Sequence, residues 1–182
     1  MSFRPNVDRG RIERFLQELG RAFRHPARLY IVGGAVLVHQ RLRLATLDIH
    51  LSIEVDGLHH GNLMRQIARL KDQLPVNVEE ASPADFIPMP SGWRERSPYV
   101  GRFGQIDVFY FDPVSTALSK LDRGHDDDLA AVRTVLAAGK IARADLVSAW
   151  EEIAPRLPER GRSATQIAEF EENVNLVLNV LG

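Results

Sequence analysis

An α/β fold, with a short mixed sheet flanked by helices and a helical C-terminal portion, is predicted by three features of this 182-residue chain. The first is the run Leu29 to Val55, which reads as strand, Gly33-Gly34 turn, short helix, strand. The second is strict alternation in two places, Asp48 to Val55 and Gln105 to Phe111, the period of a strand whose side chains point to opposite faces. The third is a set of apolar stripes at helical spacing between and after these strands.

In chain order, Asp8 can cap a helix whose stripe is Ile12, Phe15, Leu16, Leu19 and Phe23, ending at His25-Pro26. Arg4, Arg9, Arg11, Arg14, Arg21, Arg24 and Arg28 crowd this helix and its exit. They form either a solvated charged face or a patch for an acceptor such as RNA phosphate. Leu29 to Val32 is the first strand, and Ala35 to Leu42 can coil after the glycine turn. In the second strand Ile49, Leu51, Ile53 and Val55 share a face to be buried. Asp48, His50, Ser52 and Glu54 share the other, where a row of polar groups suits a site.

Leu58 to Leu74 carries a second helical stripe through Leu63, Met64, Ile67, Leu70 and Leu74, and Val76 to Glu79 is a short strand. From Ala81 to Gly104 the chain holds four prolines and three glycines, so neither a helix nor a central strand is expected there. In this loop Trp93, Arg94, Arg96 and Tyr99 either stack on a base and hold phosphates, or Phe86, Ile87 and Trp93 pin the loop to the core. In Gln105 to Phe111, Asp107 lies among aromatic residues: buried, it needs a cation, a metal or hydrogen-bond donors, and the alternative is an exposed aspartate at a strand end. Asp112-Pro113 opens a helix, and Leu146, Ala149, Trp150 and Ile153 mark a later one. Ser163 with Gln166 forms a capping-box pattern ahead of the stripe Ile167, Phe170, Val174, Val177 and Leu181.

Composition narrows the class. With 23 Lys plus Arg against 24 Asp plus Glu, the net charge of -1 gives no general pull toward nucleic acid or anionic membrane. The absence of cysteine removes disulfides and thiolate metal sites. No run approaches the roughly twenty apolar residues of a membrane span, and the N-terminus lacks the apolar core of a signal peptide, so a cytoplasmic protein with no membrane partner is expected.

Gly33-Gly34, then thirteen residues, then Asp48-Ile49-His50 resembles the signature of the polymerase-beta-like nucleotidyltransferase superfamily, where a Gly-Gly or Gly-Ser pair precedes Asp-x-Asp or Asp-x-Glu on a strand. The resemblance covers roughly residues 10 to 140 and implies a nucleotidyltransferase-like fold. It implies a domain over 1–140 with a helical extension over 141–182 packed on it. Gly33 and Gly34 would admit a nucleoside triphosphate to the backbone, and Asp48 and Asp107 would be catalytic carboxylates holding divalent metal, Mg or Mn, with His50 at the second ligand position. Imidazole there removes a charge and an oxygen, which weakens magnesium and favours manganese or another borderline ion.

The segment Asp112 to Gly139 resembles a block in a small bacterial branch that includes nucleotidyltransferase-like proteins of toxin–antitoxin and abortive-infection modules, with Lys120 and Asp128 at its marked positions. By that resemblance Lys120 neutralises triphosphate charge and Asp128 orients it; alternatively Asp126-Asp127-Asp128 caps a helix with solvated charge. Two functions are expected in consequence. One is nucleotide transfer from a nucleoside triphosphate to a hydroxyl on RNA, protein or a small molecule. The alternative is an inactive member that binds a nucleotide or a cognate toxin or antitoxin partner.

Overall fold

The computed structural model describes residues 6–179, so Arg4 of the N-terminal arginine group and Leu181 of the last stripe lie outside the described residues. The fold is mixed α/β. Among the described residues the strands are β1 (Ala27–Val32), β2 (Ile49–Val55), β3 (Val78–Glu80), β4 (Tyr99–Phe103) and β5 (Ile106–Tyr110). The helices are α1 (Arg9–Ala22), α2 (Gly34–His39), α3 (Gly57–Gln73), α4 (Pro113–Arg123), α5 (Asp126–Ala137), α6 (Arg143–Ile153) and α7 (Ala164–Asn179).

The chain divides into two compact units. The first takes the chain as far as Ser82 together with Ser97–Phe111, and the second takes Pro83–Arg96 and everything from Asp112 onward. In the first, the strand order is β3-β2-β1-β5-β4. β1 runs antiparallel to β2 and parallel to β5, β3 is parallel to β2, and β4 is antiparallel to β5.

One face of this sheet is apolar because the alternation makes it so: Leu29, Ile31, Ile49, Leu51, Ile106 and Val108 pack in a single core with the stripes of α1 and α3. Asp8 caps α1 by accepting from the Arg11 amide at 2.9 Å, which satisfies one of the free donors of its first turn. Arg9 and Arg21 form intrahelical pairs with Glu13 and Glu18. On the opposite face Tyr30 stacks on Phe109 and lies edge-on to Phe111, while its hydroxyl reaches Glu54 at 3.1 Å.

The stretch in which neither a helix nor a central strand is expected contains β4, an edge strand with a register shift between Tyr99 and Gly101. An edge needs only one row of backbone partners, so Pro98 before it and Gly101 within it are tolerated there.

The second unit has its own core, in which Ile87 joins the stripes of α4 to α7. Asp112, fully buried, caps α4 and takes a two-pronged guanidinium from Arg96 at 2.8 and 3.1 Å. Of the loop residues, Arg96 is committed to Asp112 and Arg94 lies 4.4 Å over Trp93, while Ile87 sits in the core of this unit. The capping box at α7 forms in both directions, Ser163 N to Gln166 Oε1 at 2.9 Å and Gln166 N to Ser163 Oγ at 3.3 Å. No helix among the described residues is long and apolar enough to cross a membrane.

Candidate metal and nucleotide site

Asp48 immediately precedes β2 and His50 is its second residue, so the period of the strand sets both side chains on the sheet face opposite the core. His50 Nε2 lies 3.5 Å from Asp48 Oδ2. On the other side it lies 3.6 Å from Glu79 Oε2. Glu79 arrives through strand pairing: β3 runs parallel to β2 with Glu79 directly opposite His50. One ligand atom from each of Asp48, His50 and Glu79 falls within 4.8 Å of the others. Asn77 Nδ2 donates to Glu79 Oε1 at 2.9 Å. That hydrogen bond is the main reason the Glu79 carboxyl titrates below its ordinary value; burial works against it, and the charges of His50 and Lys71 add to the lowering.

The glycine turn adjoins this group. Gly33 has φ +68 and ψ -135, a conformation that a side chain strains, and a Cβ placed on it would lie 3.9 Å from His50 Nδ1. His50 therefore faces the two carboxylates with one ring nitrogen and the turn with the other. Gly34 plays a packing part: a Cβ on it would come within 2.8 Å of Thr46 Oγ1, and Thr46 is itself tied to Val7 by a pair of backbone hydrogen bonds.

Asp107 shares the face of His50 but stands apart from this group. It lies opposite Arg28 on β1, whereas His50 lies opposite Val32, and four residues of strand amount to about 13 Å. Its neighbours are the Tyr99 hydroxyl at 3.4 Å and Arg102 Nε at 3.9 Å. These meet the requirement that an aspartate in an aromatic strand find donors.

Lys120 and Asp128 are brought together in the second unit, with Lys120 Nζ 2.6 Å from Asp128 Oδ1. Arg123 adds a fork onto the same carboxylate at 2.9 and 3.0 Å. Burial alone would raise the Asp128 carboxyl, but the hydrogen bonds from Arg123 and Lys120, and their charges, hold it below the ordinary value. Asp128 is thus a buried anchor for two cations rather than only a solvated helix cap. Glu79 is the residue that the sequence reading passed over. Its signal was the alternation Asn77-Val78-Glu79, which gives a half-buried strand with Glu79 on its polar face.

Residues 11–172 match the profile of a family described as nucleotidyltransferase of unknown function, DUF6036. The chain belongs to this family. No curated protein and no solved structure matches it significantly.

For a divalent ion the donor set fits. Ligands about 2.1 Å from an ion lie about 3.4 Å apart at tetrahedral corners and about 3.0 Å apart at octahedral ones. The two separations from His50 Nε2, 3.5 and 3.6 Å, are near the tetrahedral spacing.

Proposed function

We propose that the chain binds a nucleoside triphosphate with a divalent ion at the Gly33 turn and transfers its nucleotide to a hydroxyl acceptor on RNA, protein or a small molecule. The observation that carries this is the adjacency of Gly33, whose backbone conformation only glycine adopts readily, to His50, within a group that also holds Asp48 and Glu79. Gly33 leaves room for phosphate oxygens to approach the backbone, and His50 Nδ1 faces the same space. Asp48, His50 and Glu79 would hold the ion, which when bound supplies positive charge to the phosphates. In the transfer, the acceptor oxygen forms a new ester bond to the α-phosphorus, the bond to pyrophosphate breaks, and the hydroxyl proton leaves to solvent or to a carboxylate of the site.

In this reading Glu79, rather than Asp107, completes the set. Lys120, fixed by Asp128, is proposed as a cation for triphosphate charge. The same proposal places the family in the polymerase-beta-like superfamily, in the branch that includes toxin–antitoxin modules, with a cognate toxin or antitoxin as a candidate partner. The spacing from Gly33-Gly34 to Asp48 and the Lys120 to Asp128 block support it.

His50 favours keeping a second reading, in which the site binds nucleotide or a partner without transfer, because imidazole replaces a carboxylate at the second ligand position. Calorimetric titration with each nucleoside triphosphate, with and without divalent metal, tests binding. Transfer of labelled nucleotide to total RNA and protein separates the readings. At least one triphosphate is expected to bind only with metal present, and Gly33→Val, checked for folding by circular dichroism, is expected to abolish that binding. A folded Gly33→Val protein that binds nucleotide as the parent does would make the turn purely structural.

A further inference from the structure

We propose that Asp48, His50 and Glu79 hold one divalent ion of the imidazole-binding class, with zinc preferred over manganese and manganese over magnesium, and that Glu79 of β3 is an obligatory ligand. This deepens the reading above at the same site, yet it concerns the ion alone and holds with no nucleotide present.

The geometry points to one ion. His50 presents a single nitrogen, Nε2, to both carboxylates, at 3.5 Å from Asp48 and 3.6 Å from Glu79. A carboxylate at this position could bridge two ions with its two oxygens, whereas an imidazole nitrogen has one lone pair and serves one. The other nitrogen is turned toward Gly33, so it cannot reach a second ion among the same ligands.

Donor chemistry then sets the preference. Magnesium prefers six oxygens in near-octahedral geometry and gives up water reluctantly. An imidazole with two carboxylates, each 3.5 to 3.6 Å from the imidazole nitrogen and so close to the tetrahedral spacing, suits zinc. Along the divalent series affinity climbs from manganese to a maximum at copper, with zinc past that maximum but still above manganese.

Two features show a built set rather than a chance meeting of charges. Glu79 is placed by strand register, since β3 pairs parallel with β2 and sets it opposite His50. Its far oxygen is also held by Asn77 Nδ2 at 2.9 Å, leaving Oε2 toward the imidazole. Hydrogen bonds of this kind orient metal ligands, and their loss commonly costs about 10- to 100-fold in metal affinity.

The test is isothermal titration of the full chain, free of nucleotide, with zinc, manganese and magnesium in turn. Cobalt absorption in the visible serves as a second readout of coordination. The expected result is one ion per chain, with zinc bound at least tenfold more tightly than manganese and magnesium weakest. Glu79→Gln and Asn77→Ala are each expected to weaken zinc by tenfold or more, and Asp107→Asn to leave it unchanged. His50→Asp is expected to reverse the order, lowering zinc affinity and raising that of magnesium. Equal zinc affinity in the parent, Glu79→Gln and His50→Asp would place the ion elsewhere and overturn the proposal. So would two ions per chain, or magnesium bound more tightly than zinc by the parent. A chain that binds zinc as described but no nucleoside triphosphate would overturn the proposed function and leave this inference standing.

Discussion

His39 ends α2 with Nδ1 2.6 Å from the Tyr110 hydroxyl and Nε2 3.7 Å from Glu13, so one imidazole ties α2 to β5 and faces α1. Burial lowers its pKa, the nearby Arg9 lowers it further, and Glu13 partly opposes both. The folded chain therefore takes up this proton only below the ordinary imidazole value of about 6.5, while the unfolded chain takes it up there. Stability is fully present above about pH 6.5 and is lost as the pH falls from that value through the lower folded one. The midpoint of thermal unfolding should fall between about pH 7.5 and pH 5.5, and His39→Asn should flatten that slope. Equal slopes in the two proteins would remove His39 from the account. At this scale Asp48 and His50 were legible in the sequence, because a glycine pair and a two-residue period fix their face. Glu79 was not, since its place depends on which strand pairs with β2. Asp107 lies on the same face as His50, and no local pattern records that it stands about four residues along β1 from it.

Between elements, α1 approaches the turn joining β4 and β5 so closely that neither Gly20 nor Gly104 has room for a side chain. A Cβ on Gly20 would come within 2.5 Å of the Phe103 carbonyl oxygen, and Gly104, at φ +61, would press one onto Gly20 in return. Alanine favours a helix interior over glycine by about 1 kcal/mol, but here its methyl group meets backbone that cannot turn aside. Gly20→Ala is expected to destabilise the chain by about 2 kcal/mol, read as a lower urea midpoint with the slope unchanged. A stabilised Gly20→Ala protein would mean that α1 can shift away from the turn. The helices were legible from their stripes: the expected 58–74 became α3 (Gly57–Gln73), and Asp112-Pro113 opens α4 as expected. β4 was hidden because the prolines and glycines around it speak against a central strand and are silent about an edge.

At the scale of the whole molecule, the sequence does not mark where the chain passes from one unit to the other. Residues 83–96 join the second unit through Ile87 in its core and through the fork of Arg96 on Asp112, and both partners lie far along the chain. Strand order carries the same non-local character, since β1 lies between β2, made soon after it, and β5, made much later. Synthesis therefore delivers β1, β2 and β3 while one edge of β1 still waits for Ile106–Tyr110. That open edge bears Leu29 and Ile31, and an unpaired apolar strand recruits other chains. In cell-free translation, a product ending at Ser82 is expected to sediment as aggregate, and one ending at Phe111, in which β5 is complete, to stay soluble in larger part. Equal solubility would mean that the waiting edge is harmless. An edge that recruits other chains would make the interval before β5 is complete the one in which a chaperone protects this nascent chain.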